Sequence, residues 1–351
     1  MRTGTRMDRR QVIGWSLASG AAAVLSRVSA AAVVWRAGGG TPMLYDWKPT
    51  RVPHVLVAAG EGGNMVLVLG RDGKAAMLVD TQACPYARQI RREAEHLGGK
   101  VELVISTHHH AEITGGNRAF TPDTRVIGHA RNAARISGQM NRYVSQVKEF
   151  LFRKEDPARK EAWEAVRADF AELNKHKAAF MPEEFAPNET VDAERTELEV
   201  GGRRVVLMSL GAAHTDNDLG VHLPDDDVLI TGGVVSHGMH VVVDRDSGAD
   251  TRGWCAALRR LESMCSPTTV VVPGEGEVGG SGVLGAQRTY LEALRASVEE
   301  GVAKGLSRAE VRALKPAVAV GDSKGARLAM SLDAVYDEVR AEGAGEVREK
   351  K

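Results

Sequence analysis

Residues 101–117, VELVISTHHHAEITGGN, contain the most informative pattern in the chain. It begins as an apolar run typical of a buried strand and ends in His108, His109 and His110, followed by Glu112. In an extended chain, side chains two residues apart point the same way, so His108, His110 and Glu112 can converge on one point. Because histidine is the commonest metal ligand, this spacing indicates half of a metal site. The alternative is a pair of partly exposed strand-end histidines with no metal.

The same stretch resembles the defining motif of the metallo-β-lactamase-fold hydrolases, a strand followed by Thr-His-x-His-x-Asp-His and then Gly-Gly-Asn. Thr107, His108 and His110 match this motif. Glu112 stands where the family has aspartate, and Ile113 stands where it has a third histidine. The resemblance implies that His108 and His110 are metal ligands.

Three later segments resemble the rest of the family's pattern, in the same order. GAAHTDNDLGVHLP resembles the segment with the next ligand histidine, which falls on His214. DDDVLITGGVV resembles the strand that ends in Thr-Gly-Asp, and Gly233 takes the place of the aspartate that bridges two metals. VVVPGEGEV resembles Val-Pro-Gly-His-Gly, and Glu275 takes the place of its histidine.

The resemblance separates the ligands of the family's two metals. The first metal's histidines are complete, as His108, His110 and His214. The second metal's positions are all altered, to Glu112, Ile113, Gly233 and Glu275. Three imidazoles and one water are a sufficient ligand set for zinc, so we expect one zinc ion per chain. Reversing the four changes, with aspartate at 112 and 233 and histidine at 113 and 275, is then expected to restore a second metal.

Other polar residues near these motifs have candidate roles. Glu112 is the candidate catalytic residue, because it can orient a water molecule or accept its proton. Asp216 and Asp218 are expected to shape the turn after His214, and one of them to support a ligand imidazole through a hydrogen bond. Four residues are possible metal or substrate contacts: His109, His237, His240 and Glu275. For the three histidines, a structural role is the alternative.

The resemblance covers residues 63–338 and implies an α/β fold, a four-layer αββα sandwich, in a domain of residues 41–340. A hairpin turn is predicted at Gly201-Gly202. A helical insertion is predicted at about residues 133–185, as a lid, a dimer contact or a plain solvated hairpin. Its clearest helix has one apolar face, formed by Trp163, Val166, Phe170 and Leu173.

The first thirty residues resemble a twin-arginine export signal. They combine Arg9-Arg10, a modestly apolar stretch over residues 12–25 and a small-residue end at Ser29-Ala30. An ordinary basic helix is the alternative. The signal implies delivery to the periplasm and a mature chain that begins near Ala31. At the other end, the charged tail of residues 341–351 is expected to be disordered.

The amino-acid composition limits the classes of molecule that this protein is expected to bind. The 351 residues are 43% hydrophobic, enough for a full core, and carry 46 basic and 46 acidic side chains. This balance argues against nucleic acid as a partner. The apolar stretch of the signal is too short for a stable membrane anchor. A small-molecule substrate is the expected partner, and the oligomeric state stays open.

Two functions of different classes follow. The first is an exported metallo-β-lactamase-fold hydrolase with a mononuclear zinc site, cleaving an ester, lactone, amide or thioester-type bond. The second is a non-catalytic binding protein on a degenerate copy of the same fold. Hydrolysis of a generic activated ester or lactam separates them, because an open zinc site cleaves such bonds and a closed or empty one does not.

Overall fold

The computed structural model describes residues 40–316 and 325–349. The predicted export signal at residues 1–30 lies outside the described residues. The described chain forms two β-sheets with helices on their outer faces.

The first sheet contains seven strands that lie in chain order. They are β1 (Lys48–Pro49), β2 (Val55–Gly60), β3 (Gly63–Leu69), β4 (Ala75–Val79), β5 (Lys100–Ile105), β6 (Arg125–His129) and β7 (Glu189–Val191). Strands β1 to β4 pair antiparallel with their neighbours, and β4 to β7 pair parallel. The carboxyl ends of these parallel strands meet at one edge of the sheet, where the histidine stretch follows β5.

The second sheet contains five strands. They are β8 (Arg195–Val200), β9 (Arg203–Ser209), β10 (Leu219–Leu223), β11 (Val228–Ile230) and β12 (Val270–Val272). Strands β8 to β11 pair antiparallel, and β12 pairs parallel with β11. The predicted turn between β8 and β9 is confirmed, with φ of 54° at Gly201 and 73° at Gly202. Glycine adopts these angles without the steric cost that other residues incur.

The helices fill the spaces between strands and cover the sheets. They are α1 (Ala87–Gly98), α2 (Ala111–Thr114), α3 (Asn132–Gly138), α4 (Met140–Phe150), α5 (Lys160–His176), α6 (Thr251–Ser263), α7 (Gly282–Ala303), α8 (Arg308–Arg312) and α9 (Gly325–Glu349). Helix α6 has a side-chain cap, because Asp250 Oδ1 accepts a hydrogen bond from the Gly253 backbone N–H at 2.6 Å.

Three hydrophobic cores separate four layers. Along β3, Met65 and Leu67 face the helices, whereas Val66 and Val68 face the second sheet. The first core lies between the first sheet and α1, α4 and α5. The second core lies between the two sheets, and the third lies between the second sheet and α6, α7 and α9. The predicted αββα sandwich is therefore confirmed.

The predicted insertion contains α3, α4 and α5, which lie between β6 and β7 in the chain. The apolar face predicted for residues 163–173 is buried on α5. Helix α4 likewise buries Tyr143, Val147 and Phe150 in the first core. The insertion is thus packed into the helical layer over the first sheet.

The C-terminal end differs from the prediction, because α9 continues through residues 341–349, which were expected to be disordered. Apolar contacts with the third core and ion pairs with Arg295 fix the position of α9. Leu332 and Val335 are fully buried in the third core, and Arg295 contacts both Glu338 and Glu342. Within the described residues, no helix is long and apolar enough to span a membrane.

Candidate metal centre

The histidine stretch is a loop between a strand and a short helix. Strand β5 ends at Ile105, and His110 is the residue before α2. Glu112 therefore lies in the first turn of a helix, and the predicted extended backbone from His108 to Glu112 is wrong at its far end. His108 and His110 still reach the same point.

Three imidazoles meet at the sheet edge. One ligand nitrogen from each of His108, His110 and His214 lies within 4.8 Å of the others. The ring centroids are 4.8 to 5.0 Å apart, and each pair of rings is close to perpendicular. Burial, and secondarily the neighbouring imidazoles, lower the pKa of His108 and His214 well below the ordinary value. These rings are therefore neutral near pH 7, which is the form that binds a metal.

His108 is oriented by a buried chain of hydrogen bonds. Its Nδ1 lies 3.0 Å from Thr107 Oγ1. Thr107 donates in turn to Asp80, through Oγ1 to Oδ2 and through its backbone N–H to Oδ1, both at 2.8 Å. Burial raises the pKa of Asp80 to about 7. Because Nδ1 is occupied by the threonine, Nε2 of His108 is left for the cluster.

His110 is held from its other nitrogen. Its Nε2 lies 3.0 Å from Ser247 Oγ and 3.6 Å from Asp244 Oδ2. Ser247 Oγ donates to the same Asp244 oxygen at 2.8 Å. The neighbouring imidazole of His110 keeps the pKa of Asp244 well below its usual range, so this carboxylate stays ionised. On the pocket side, His110 Nδ1 lies 3.6 Å from Glu112 Oε1.

His214 completes the set from the loop between β9 and β10. Its Nδ1 is buried and has no hydrogen-bond partner among the described residues. A buried ring nitrogen without a partner is unusual in a folded protein. Three converging imidazoles, of which His108 and His214 are neutral near pH 7, form a donor set that fits a zinc ion.

Gly233 packs directly against the imidazoles. A Cβ placed on this residue would lie 2.3 Å from His214 Cδ2 and 3.1 Å from His108 Cε1. Real Cβ contacts essentially never come that close, so the structure has no room for a side chain here. Aspartate at 233, which we expect to help restore a second metal, would clash with the ligand rings at this backbone position.

Glu275 lies in the wall of the same pocket, but its carboxylate binds another residue. Both of its oxygens bind the guanidinium of Arg327 on α9, at 2.5 and 2.9 Å. Ser236 Oγ also approaches Glu275 Oε2, at 3.4 Å. Arg327 therefore holds this carboxylate in the pocket wall.

The remaining candidate histidines lie outside the cluster. His109 is buried, with Nδ1 2.8 Å from Asn217 Nδ2 and Nε2 3.2 Å from Gln139 Nε2. His237 Nδ1 binds the Glu277 carbonyl oxygen at 2.7 Å, and His240 Nδ1 binds the Tyr290 hydroxyl at 3.0 Å. The structure thus gives all three histidines other partners.

The two candidate supporting aspartates act on the backbone and on α3 instead of on an imidazole. Asp218 accepts from Thr215, through the backbone N–H at 2.7 Å and Oγ1 at 2.9 Å, and so shapes the predicted turn. Asp216 forms an ion pair with Arg135. Among the hydrogen bonds of the described residues, none joins either aspartate to a ligand imidazole.

Sequence reasoning missed the groups that orient the ligand rings and the cation that binds Glu275. Asp80 follows the apolar run of β4 directly, and a polar residue at a strand end could have indicated it. Asp244 and Ser247 lie in a loop without a recognisable motif. Arg327 lies 52 residues from Glu275 in the chain, and no spacing links them.

The cluster opens into a pocket of about 150 Å³. Its wall joins residues from both halves of the chain, including Glu112, Asp244 and Glu275. Two cationic residues, Arg142 from α4 and Arg327 from α9, complete it. The arrangement can hold a metal ion at the base and a small molecule above it.

Comparison with known proteins agrees with this fold. The family model of the metallo-beta-lactamase superfamily matches residues 58–297. No curated protein matches the sequence. The solved structure of the DIM-1 metallo-beta-lactamase is 16% identical, with a TM-score of 0.51, over 71% of this chain and 97% of that one. The sec-alkylsulfatase Pisa1 from Pseudomonas sp. is 18% identical, with a TM-score of 0.58, over 82% of this chain and 49% of that one. At these identities the likeness shows the fold alone.

Proposed function

Because this chain belongs to the metallo-beta-lactamase superfamily, we propose that it is a hydrolase with a single zinc ion that cleaves an ester, lactone, amide or thioester-type bond in a small molecule. The observation that carries this proposal is the convergence of His108, His110 and His214 at the base of a pocket. The superfamily supplies hydrolysis as the reaction type. The fold does not choose the substrate.

The altered second-metal positions support one ion per chain. Gly233 has neither a side chain nor space for one. Ile113 is buried and apolar, and Glu275 is bound by Arg327. Of the four altered positions, only Glu112 offers an oxygen that Arg327 does not bind, and one carboxylate is too few ligands for a second zinc.

A zinc ion held by the three imidazoles would supply Lewis-acid activation of water, whose pKa falls toward about 7, and polarisation of a carbonyl oxygen. The chain's own residues supply orientation and proton transfer. Glu112 faces the pocket with Oε1 3.6 Å from His110 Nδ1, where it can accept a proton from an attacking water. The Asp80–Thr107 and Asp244–Ser247 pairs keep the ligand rings aligned.

The same alterations also favour a second candidate, a non-catalytic binding protein. In that case the Arg327–Glu275 ion pair would be part of a binding surface, and the metal would be structural. The two candidates differ in turnover but not in metal content.

Metal content and hydrolysis test the proposal together. Protein folded in its host should contain about one zinc per chain, and it should hydrolyse at least one of 4-nitrophenyl acetate, a γ-lactone and a thioester. His110→Ala should abolish both properties. The matched control is His176→Ala, which alters an exposed histidine on α5 and should change neither. Two zinc ions per chain, or none, would contradict the site assignment, and zinc without turnover would favour the binding protein.

Export by the twin-arginine route to the periplasm is part of the proposal. It rests on the order of charged, apolar and small residues in the first thirty positions. Replacing Arg9 and Arg10 together by lysine should retain the precursor in the cytoplasm, because the pair is recognised as an address and not as charge. Cell fractionation checks this, and unchanged delivery of the double-lysine form would argue for another route.

A further inference from the structure

A larger cleft adjoins the metal pocket. It has a volume of about 400 Å³, against about 150 Å³ for the pocket over the histidines. The two spaces share Gly62, Glu112 and Arg142 in their walls. This outer cleft is therefore the continuation of the pocket on the side of Glu112 that faces away from the imidazoles.

One wall of the outer cleft is the polar face of helix α4. Ser145 and Glu149 are exposed on this face, about one helical turn apart, and both line the cleft. On the other side of the helix, Tyr143, Val147 and Phe150 are buried in the first core. Because those buried residues fix the rotation of α4, the direction in which its polar face points is also fixed.

The rest of the outer cleft is polar as well. Arg153 forms an ion pair with Glu61 at 2.7 Å across the cleft's edge. Among the described residues that line the space, the apolar side chains are the methyl groups of Ala83 and Ala111. An alkyl chain placed there would strip water from charged groups, which is unfavourable.

We propose that the outer cleft binds the part of the substrate beyond the scissile bond, and that this part is a polar, amide-type group and not an alkyl chain. Glu149 would accept a hydrogen bond from the N–H of this group, and the Ser145 hydroxyl would donate one to its carbonyl oxygen. The inference rests on the proposed hydrolase function and deepens it, because it names the substrate class. It also gives the helical insertion a specificity role.

Two esters of nearly equal size test this assignment. One is 4-nitrophenyl hexanoate, and the other replaces its terminal ethyl group by a primary carboxamide. The zinc-loaded protein should hydrolyse the carboxamide ester with a kcat/KM roughly fivefold higher, a preference of the size that one or two net hydrogen bonds provide.

Two substitutions on α4 and one matched control locate the effect. Ser145→Leu and Glu149→Leu should each reduce the preference for the carboxamide ester at least twofold, mainly through KM. Lys148→Leu, on an exposed position of the same helix outside the cleft, should leave the preference unchanged. A wild-type preference for the hexanoate, or equal effects of all three variants, would overturn the assignment.

Binding of the two corresponding acids separates this inference from the proposed function. In ligand-observed NMR, the carboxamide acid should bind the zinc-loaded protein more tightly than hexanoate, and Glu149→Leu should remove the difference. Absence of hydrolysis of both esters would sink the hydrolase proposal but leave this measurement valid. Tighter binding of hexanoate would refute the polar cleft even if hydrolysis were observed.

Discussion

At the scale of single residues, the site depends on groups that set the direction of each imidazole. Asp244 has no direct place in the cluster of ligand nitrogens, yet it lies 3.6 Å from His110 Nε2 and shares Ser247 with it. A carboxylate in this position fixes the ring and raises its basicity, so that the opposite nitrogen binds metal more tightly. Asp244 is therefore a positioning residue.

Replacing Asp244 by asparagine should weaken zinc binding roughly 10- to 100-fold, because the ring loses its charged partner while the shape is kept. Competition with a chelating dye measures this directly. Asp246→Asn is the matched control, since Asp246 is exposed two residues away and should have no effect on affinity. Equal zinc affinity in the two variants would show that Asp244 does not hold the ring.

Gly233 shows where residue-level reasoning from the sequence reaches its limit. The resemblance to the family's motif placed the residue next to the ligands, and it does pack against His214 and His108. The motif does not show how close the backbone at Gly233 lies to the two rings. A Cβ built on Gly233 would lie 2.3 Å from His214 Cδ2. An aspartate side chain therefore fits only if the ring or the backbone moves.

At the scale of elements, the parts fixed by local chemistry were predictable. The Gly201-Gly202 turn requires positive φ at both residues, and the apolar face of α5 follows the helical period. The end of β5 was less predictable, because His108 to Glu112 suit an extended loop as well as a helix start. The backbone of α2, with Ile113 and Thr114 N–H bonded to the His110 carbonyl oxygen, decided it.

Contacts between distant elements could not be predicted from one sequence. The pairing of Glu275 with Arg327 joins the end of the second sheet to the start of α9. Ion-pair partners are selected by tertiary packing, and nothing in the sequence around Arg327 indicates a site residue. Glu275 was consequently a candidate metal contact, and only its neighbours in space give it a different role.

At the scale of the whole molecule, the candidate metal centre forms only when the two sheets pack together. His108 and His110 follow a strand of the first sheet, whereas His214 lies between two strands of the second. The Leu219 N–H donates to the Thr107 carbonyl oxygen at 2.7 Å and joins the two loops. Global stability and site integrity are therefore coupled.

Buried Asp218 provides a test of that coupling through pH. Burial raises its pKa from 3.8 to about 7, so between these pH values the native state binds more protons than the unfolded state. Stability from this group is then fully present below about pH 4 and is lost as pH rises toward 7. Asp218→Asn removes the titration. The unfolding free energy of the metal-free wild type, minus that of Asp218→Asn, should therefore fall with rising pH, at up to about 1.4 kcal/mol per pH unit.

Urea denaturation at several pH values from about 4.5 to 7 measures this difference in unfolding free energy. Asp225→Asn is the control, because Asp225 is exposed. A difference that stays constant over this range would mean that Asp218 is ionised in the native protein. Its hydrogen bonds to Thr215 would then outweigh its burial.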